Sequence, residues 1–480
     1  MNYSTQDLKM FLLENKVAIY ISLLFSAAFV LPVILAGSIY IDDNTRIFND
    51  FNWSGDGRFA TNILFELLSF GNGIVNIYPF GQLIASLILA LSIILLCYSA
   101  GVKGSLFIVL STIIAFNSQF LISNLSYRYD SLPMSISILL AVIPFIFLRR
   151  SWIFFLCSIC CLVLSFQMYQ PSAMVYVICS LIVSAAKYEG PIDYIKRNLI
   201  AAAAFVSSFV LFKIIIIFVG GVGRADFFTA ANNPSETLGR NVAQHMHLFD
   251  MSAQSPMKII YIILSALMLM SIVLVFKKDK GKATIILLTT PIVFVLTFIA
   301  NALLKEAWFT SRILIAFPFF MVFVIICSYH ANVNRYFVYT TLILSCISSL
   351  VFSATYASAL RSQDEINNKY LNEISLVTNG VGVDKVAIYG DAPRSKEYMR
   401  AGFIYPIMSN IVPNYLKQGS GWAQMLLIRR SISAQFFKIN EQDKIFKQSC
   451  LIGEMRKSSS FNYQIIGSLV VIDFTKNLCI

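Results

Sequence analysis

Two adjacent carboxylates, Asp42 and Asp43, follow the first long apolar run of the sequence, and Arg46 comes one helical turn later. A carboxylate near a low-dielectric boundary can act as a general base or bind a metal ion, and a neighbouring guanidinium can hold it ionised and aim it. The same spacing also fits a solvated helix cap, because Asp is a favoured N-cap residue. The pattern predicts a catalytic pair, with a cap as the alternative.

Arg128 and Asp130 form a second candidate site, interleaved with Tyr127 and Tyr129 at a short turn between two apolar runs. Arg presents a planar fork of donors that matches phosphate, and Tyr rings can stack on sugars. Aromatic residues are also common at a membrane interface. The segment therefore indicates either substrate binding or an interfacial belt that contains a local ion pair.

Other candidates lie at or near the ends of apolar runs. Lys213 lies inside such a run, where a cation is costly and marks a functional site by default, although its stem can also snorkel to the interface. The predicted substrate-binding set is Arg46, Arg128, Asp130, Tyr169, Gln170, Lys213, Arg224 and Arg312.

Histidine and cysteine do not form a metal-binding pattern. His245 and His247 share a face only on a strand, and no third ligand accompanies them. Most cysteines lie in apolar runs, where Cys behaves as a small hydrophobe. Cys450 and Cys479 lie outside these runs, and in an oxidising compartment we expect them to form a disulfide. We predict no metal site from these residue types.

The elements that must position these residues are transmembrane helices. The 480 residues are 57% hydrophobic and 13% charged, and the mean hydropathy is +0.72, whereas soluble domains carry roughly 25% charged residues. Despite a net charge of +12, this composition excludes an ordinary soluble enzyme, a disordered chain and a nucleic-acid-binding domain. The apolar runs do not alternate with polar residues, which disfavours an outer-membrane barrel.

Apolar runs of about 17–24 residues predict an all-α polytopic membrane protein with about eleven spans. The predicted spans lie near residues 17–37, 80–99, 104–122, 131–148, 151–167, 171–187, 197–219, 258–276, 283–304, 312–328 and 336–356. Lys and Arg concentrate in the short loops on the side of the N-terminus, so the positive-inside rule places that terminus in the cytoplasm. An odd number of spans then places the C-terminal segment on the other side.

The outer side carries the longer and more polar segments. In the first outer loop, residues Phe59 to Phe70 show apolar residues at helical spacing and predict a helix lying at the interface. From residue 357 the composition becomes more polar, which predicts a transmembrane domain over 1–356 and a small α+β domain over 357–480. In this second domain we predict a helix over Asp364–Leu376 and strands over Lys385–Tyr389 and Ile465–Ile472.

The first outer loop, Tyr40-Ile41-Asp42-Asp43-Asn44-Thr45-Arg46, resembles that of the membrane glycosyltransferases of the GT-C superfamily. Three further motifs accompany it: Arg128-Tyr129-Asp130-Ser131, the turn Tyr169-Gln170, and Ser311-Arg312 at the entry of a span. Together they resemble the Gtr-type O-antigen glucosyltransferases, the GtrII-like family encoded in phage seroconversion clusters. The likeness covers the layout of the whole chain.

This resemblance implies a reaction and a set of partners. The donor is an undecaprenyl-phosphate-linked sugar, usually glucose, and the acceptor is the O-antigen of lipopolysaccharide on the periplasmic face of the bacterial inner membrane. A lipid-linked glucose synthase and a small flippase are the implied functional partners, with no nucleic acid. In the superfamily an acid of the first outer loop acts as base or metal ligand, which maps onto Asp42 or Asp43. No cofactor is required, although a divalent metal can take part.

We expect the reaction to be a direct displacement. Asp42 or Asp43 deprotonates an acceptor hydroxyl, which attacks the anomeric carbon while the lipid phosphate leaves. Arg128, Arg224 or Arg312 stabilises the departing negative charge. The outcome at the anomeric carbon, inverting or retaining, stays open.

Two other classes of protein share some of these features. A lipid-linked-oligosaccharide flippase or sugar transporter needs a polar cavity with charges near the membrane midplane, and Lys213 alone comes close to that position. An O-antigen polymerase usually carries a large Arg-rich outer loop, whereas the loop over 220–257 holds few arginines. The transferase is therefore the favoured interpretation.

Overall fold

The computed structural model describes residues 2–47, 52–219, 227–379, 382–428, 435–436 and 439–479. The chain divides into two compact units. The first unit comprises Met1–Leu35, Asp50–Ala354 and Tyr405–Ile407. The second unit comprises Ala36–Asn49, Thr355–Ile404 and Met408–Ile480. The segment that carries Asp42 and Asp43 therefore belongs to the second unit, and the division at residue 356 stays a prediction.

The described residues are mostly helical, and seven of their helices are long and apolar enough to cross a membrane. These helices are Lys16–Ala36, Phe80–Ser99, Ser151–Met168, Pro191–Val219, Lys258–Phe276, Ser311–Ala331 and Arg335–Thr378. Shorter apolar helices are Phe59–Leu68, Ser105–Phe116, Ser131–Phe147 and Gln170–Ala186. About 20 apolar residues are needed to span a bilayer as a helix, so the chain is a helical membrane protein. The count of about eleven spans stays a prediction.

The remaining helices are shorter or more polar. They are Asn2–Glu14, Asp43–Arg46, Leu121–Ser126, Pro234–Ala253, Lys280–Leu296, Ile299–Ala302, Lys396–Ile404, Met408–Ile411, Gly421–Ile428 and Ile439–Ile452. The helix predicted over Phe59–Phe70 is present as Phe59–Leu68, and its position at the interface stays a prediction. The helix Pro234–Ala253 was not predicted, because its polar sequence was interpreted as an outer loop.

The helix predicted over Asp364–Leu376 is present, but it is not separate from the helix of the last predicted span. The helix Arg335–Thr378 runs without interruption through 44 residues, whereas the sequence was divided into a span near 336–356 and a separate helix over Asp364–Leu376. The reason is that no Gly or Pro occurs between residues 335 and 378. A change from apolar to polar residues alters the surroundings of a helix without ending it.

In the first unit, helices pack in pairs, and one buried histidine sits among aromatic rings. The main pairs are Phe80–Ser99 with Ser131–Val142, Ser151–Met168 with Pro191–Val219, and Lys258–Phe276 with Phe317–Ala331.

The His245 ring packs against Phe298 and Phe309. Its Nδ1 donates to the Asn241 carbonyl at 2.6 Å, and its Nε2 accepts from the Asn301 amide at 2.9 Å. Burial lowers the pKa of His245, so it is a neutral structural residue.

The described residues of the second unit contain five strands, β1 (Lys385–Tyr389), β2 (Gln435–Phe436), β3 (Arg456–Lys457), β4 (Asn462–Ile466) and β5 (Leu469–Asp473). They form one mixed sheet in the order β2-β1-β5-β4-β3. β1 pairs in parallel with β2 and β5, and β4 pairs antiparallel with β5 and β3. The prediction of β1 is confirmed. A single strand over Ile465–Ile472 was wrong, because Gly467 adopts a left-handed φ of 58° and turns the chain into a hairpin.

Helices cover both faces of this sheet. Val386, Ile388 and Val470 are fully buried on one face, in a core with residues of the helix that ends at Thr378. On the other face Ala387 packs with Phe446 of the helix Ile439–Ile452. The burial of both faces explains why β1 is a continuous apolar run. The predicted disulfide Cys450–Cys479 is confirmed.

Candidate functional site

Three segments of the first unit meet at Arg312. Its guanidinium donates from Nη1 to the Tyr127 hydroxyl at 2.6 Å. Its backbone carbonyl accepts from the Tyr169 hydroxyl at 3.2 Å and from the Asn124 amide at 3.0 Å. The guanidinium also lies 5.8 Å from the ring centroid of Trp308. The structure thus joins Arg312 to the segments around Tyr127 and Tyr169.

Asp130 is the buried anion of this region. It is 1% exposed and directly precedes the helix Ser131–Val142. The Trp53 indole donates to Asp130 Oδ1 at 2.5 Å, and Arg58 Nη1 lies 3.6 Å from the same oxygen. A buried charge requires a partner and hydrogen bonds. Asp130 therefore holds Arg58 and Trp53 in place.

Arg58 connects Asp130 to the predicted Tyr169-Gln170 turn. Its guanidinium lies 4.9 Å from the ring centroid of Tyr169, and its Nε donates to Gln170 Oε1 at 3.3 Å. The Gln170 amide donates in turn to the Asp56 carbonyl at 2.8 Å. Because the Tyr169 ring is 2% exposed, it supports Arg58 in this structure and offers little open surface to a sugar.

A tight turn sets the position of Arg58. Gly57 has a left-handed φ of 71°, which is accessible to Gly without strain. A Cβ at this position would lie 3.1 Å from the Ile216 side chain. The adjoining Trp53 ring is stacked on Phe65 with centroids 4.8 Å apart. Backbone and ring packing thus fix both groups that contact Asp130.

Arg128 completes a group that we call the arginine cluster, namely Arg58, Arg128, Asp130 and Arg312. The Arg128 guanidinium lies 4.3 Å from the ring centroid of Tyr78, and Arg128 is two residues from Asp130. Guanidinium groups held by stacking and hydrogen bonds suit recognition of a phosphate.

The second unit holds the predicted catalytic pair. Asp43 is completely buried and Arg46 is 6% exposed, and both lie in the short helix Asp43–Arg46. This short helix packs on the helix Gly421–Ile428. Asp42 is partly buried in front of it. In the described part of the chain, the Asp42 side chain makes no capping hydrogen bond to this helix, so the capping alternative is not supported.

The backbone directly before Asp42 is strained and held from several sides. Ile41 has a φ of 43°, which is unfavourable for a β-branched residue and is typical of functional sites. Its N–H donates to the Tyr415 hydroxyl at 2.9 Å. The Tyr40 hydroxyl donates to the Ile411 carbonyl at 2.7 Å, and the Asn44 amide donates to the Ile41 carbonyl at 3.1 Å. The segment over 40–46 is therefore a rigid element of the second unit.

Two predicted residues are not placed with these groups. The Lys213 ammonium lies 5.6 Å from the ring centroid of Phe209 on its own helix, and its role stays a prediction. Arg224 lies outside the described residues. Within the described ranges, no three His, Cys, Asp or Glu side chains come together as a metal site.

Sequence reasoning did not assign Trp53 or Arg58 to the site. Both stand in the first outer loop, 77 and 72 residues before Asp130, and only the fold shows which acid they contact. A Trp within a polar, Gly-containing stretch, Trp53-Ser54-Gly55-Asp56-Gly57-Arg58, was the available signal. Such a residue needs a partner for its indole N–H when buried.

Apolar helices of spanning length and a group of partly buried arginines at the ends of such helices define the class of membrane protein to which the chain is compared. The profile of the family described as "Glucosyl transferase GtrII" matches residues 31–329, which is more than half of the chain. The chain belongs to this family, so the resemblance drawn from its motifs is confirmed. Membership supports glycosyl transfer, in O-antigen modification, as its activity.

The chain is also similar to a protein of Salmonella phage P22 described as "Uncharacterized 55.3 kDa protein in gtrB 5'region". The two are 24% identical over 498 residues, which covers 96% of this chain and 99% of the phage protein. No solved structure matches the chain.

Proposed function

We propose that this protein transfers glucose from undecaprenyl-phosphate-glucose to the O-antigen of lipopolysaccharide, on the periplasmic face of the bacterial inner membrane. The observation that carries the proposal is the arginine cluster. The guanidinium groups of Arg58, Arg128 and Arg312 fit a ligand that carries a phosphate. Membership of the GtrII family supports a glucosyl group as the part that is transferred.

The reaction needs a base for the acceptor hydroxyl and positively charged groups that stabilise the leaving phosphate. Asp42 or Asp43 takes the proton of an acceptor hydroxyl, and the resulting oxygen forms a bond to the anomeric carbon. The bond from that carbon to the lipid phosphate breaks, and the electron pair leaves with the phosphate. Arg128 and Arg312 stabilise this phosphate, and such electrostatic stabilisation is typically worth several kcal/mol.

The setting of each candidate base differs. Asp43 is completely buried, whereas Asp42 is partly exposed. A buried acid is held in one orientation, and a partly exposed acid can reach an entering hydroxyl. We therefore propose that Asp42 meets the acceptor and that Asp43 orients the segment, although a reversed assignment uses the same chemistry. No cofactor takes part in this scheme, and these acids would be the ligands of a divalent metal if one were bound.

The proposed orientation and partners follow from the same scheme. The N-terminus lies in the cytoplasm and the second unit in the periplasm, where a sugar donor must arrive on a lipid carrier. A lipid-linked glucose synthase makes this donor, and a small flippase moves it across the membrane.

The direct test is glucosyl transfer by the full chain in detergent, with synthetic polyprenyl-phosphate-glucose as donor and O-antigen polysaccharide as acceptor. We expect new glucose branches on the polysaccharide, detected by mass spectrometry and linkage analysis. A parallel reaction with chelator separates a carboxylate base from metal ligands. Absence of transfer by a folded protein, with both substrates intact, would contradict the proposal.

A further inference from the structure

The second unit contains a partly open cleft of about 230 Å³. It is lined by polar side chains of the helix Arg335–Thr378, by the segment that follows the first span and by two apolar residues of the unit. The residues whose side chains matter here are Arg361, Asp364, Glu365, Asn367, Asn368 and Tyr415. Sites for drug-sized ligands occupy roughly 300–1,000 Å³, so this cleft suits a smaller ligand.

One buried amide in this cleft has an unused donor. Asn367 is 3% exposed, and its Nδ2 has no hydrogen-bond partner among the residues that the structure describes. A buried donor without a partner costs free energy, and each such group in a native structure calls for an explanation. A ligand oxygen in the cleft would provide that partner.

The orientation of this amide is set by a chain of hydrogen bonds. The backbone N–H of Ser395 donates to Gln363 Oε1 at 3.1 Å. Gln363 must then use its Nε2 as a donor, and it donates to Asn367 Oδ1 at 3.1 Å. The remaining polar atom of Asn367 is therefore the NH₂ group. An amide held in this way is pre-organised for an acceptor oxygen.

The charges around the cleft select against an anion. Asp364 and Glu365 outnumber Arg361, which pairs with Glu365 at 3.0 Å. A phosphate would be repelled by the two carboxylates, whereas a hydroxyl can donate to a carboxylate and accept from an amide. The guanidinium of Arg361 in turn makes the cleft a poor cation site.

Tyr415 links the cleft to the predicted catalytic pair. Its side chain lines the cleft, and its hydroxyl accepts from the N–H of Ile41, the residue directly before Asp42. The same hydroxyl donates to the carbonyl of Ile39 at 3.2 Å, and Ile39 also lines the cleft. The wall of the cleft and the acidic segment are thus one connected structure.

We infer that this cleft binds one neutral sugar unit of the acceptor through the Asn367 amide and the neighbouring carboxylates. The assignment rests on the proposed function in one respect, because it identifies the sugar as part of the acceptor. The binding itself follows from the size of the cleft, its charge and the unused donor.

The test is saturation-transfer NMR on the full chain in a detergent without a sugar headgroup. The probes are the methyl glycosides of glucose, galactose, mannose and rhamnose. We expect saturation transfer to at least one glycoside. Asn367→Ala should weaken glycoside binding by tenfold or more, and inorganic phosphate should not displace the bound glycoside. Gln464→Ala is the matched control, because Gln464 is another buried amide of the same unit that does not line the cleft.

If Asn367→Ala fails to fold, Glu365→Gln replaces it, because the Glu365 side chain is 65% exposed and tolerates exchange. We expect a severalfold loss of glycoside binding with this variant. The inference is overturned if no glycoside binds, if binding is unchanged in both variants, or if phosphate competes. If the cleft binds no glycoside, the proposed glucosyl transfer can still hold. An inactive protein that still binds glycosides through Asn367 would contradict only the proposed function.

Discussion

The arginine cluster of the first unit and the cleft of the second unit, which is lined by Asp364, Glu365 and Arg361, differ in the charge of their side chains. The cluster contains three arginines and one carboxylate, that of the buried Asp130, which lies 3.6 Å from Arg58 Nη1. In the cleft, Asp364 and Glu365 outnumber Arg361. The proposed reaction takes glucose from a donor that carries an anionic lipid phosphate and transfers it to a neutral acceptor sugar, so the two regions match the two substrates. The contrast teaches that two regions of one chain can recognise a donor and an acceptor through different charge. Neither region needs a nucleotide-binding motif for this.

The largest expected effect concerns the acids of the second unit. We expect Asp42→Asn or Asp43→Asn to reduce the rate of transfer by about 10²–10⁴-fold, because loss of a general base typically costs that much. The measurement is the rate of glucosyl transfer with each single variant. Asp384→Asn, which removes an exposed acid of the same unit, should retain normal activity. Near-normal rates in both Asp42 and Asp43 variants would move the base to another acid, with Asp130 as the next candidate.

Removing the disulfide should affect only the second unit. The Cys450–Cys479 bridge joins residues 29 apart, and in the chain-entropy model closing a loop of this length contributes about 3–4 kcal/mol. We expect Cys450→Ser/Cys479→Ser to lower the temperature at which proteases cut the second unit, while the first unit remains protected. Alkylation of both wild-type thiols in denaturant without reductant would show that the bridge does not form.

A smaller effect is expected in the arginine cluster from Trp53→Phe. The exchange keeps an aromatic ring on Phe65 and removes the indole N–H that donates to Asp130. A buried acceptor that loses its donor costs about 1–3 kcal/mol. Thermal unfolding in detergent should therefore shift to lower temperature. Trp152→Phe is the matched control, because Trp152 is 72% exposed, and an equal shift in both variants would argue against the contact.

The smallest effect is expected from Glu373, in the second unit and well beyond the apolar part of its helix. Partial burial raises the pKa of Glu373, but hydrogen bonds from Ser458, Ser460 and Ser459 outweigh it and lower the pKa to about 2. A lowered pKa stabilises the fold above the usual value of 4.5, and this stability disappears as the pH falls from there towards 2. Because Glu373 is only partly buried and solvent screens its interactions, we expect only about 1 kcal/mol.

Glu373→Gln tests this contribution. The variant should unfold more easily than the wild type at pH 7, and the difference should shrink as the pH is lowered below 4.5. The measurement is thermal unfolding of the second unit at several pH values. Glu454→Gln, at an exposed acid of the same unit, should show no such difference. A difference in unfolding temperature between Glu373→Gln and the wild type that does not change with pH would contradict the lowered pKa of Glu373.

The sequence predicted those features that depend on local signals. The strand Lys385–Tyr389 is bounded by turn residues, and the helix near Phe59 follows from apolar spacing. The pair Cys450 and Cys479 stood out because no other cysteines lie outside the predicted spans. The continuous helix to Thr378 was missed because polarity was taken as a boundary, although no helix-breaking residue is present. The hairpin was missed because Gly467 interrupts one apolar run by a single residue.

The candidate site residues were also chosen from local signals, and their roles stay a prediction. Arg128, Asp130, Tyr169, Gln170 and Arg312 were found as short polar motifs at the ends of spans, and the structure connects them. The contacts of Asp130 with Trp53 and Arg58 depend on how distant segments meet, which no local pattern encodes. The same holds for the orphaned amide of Asn367, because its burial and its hydrogen bonds exist only in the folded unit.

The most direct test of the charge division is the affinity of the purified chain for a polyprenyl phosphate without a sugar. We expect Arg312→Lys to weaken binding by about 10–100-fold, since a lysine cannot reproduce the guanidinium fork and a charged hydrogen bond contributes about 1.5–3 kcal/mol. Arg197→Lys, at a partly exposed ion pair with Glu189, is the control. Asp42→Asn should bind the lipid as tightly as the wild type. Unchanged binding by Arg312→Lys together with weakened binding by Asp42→Asn would contradict the account.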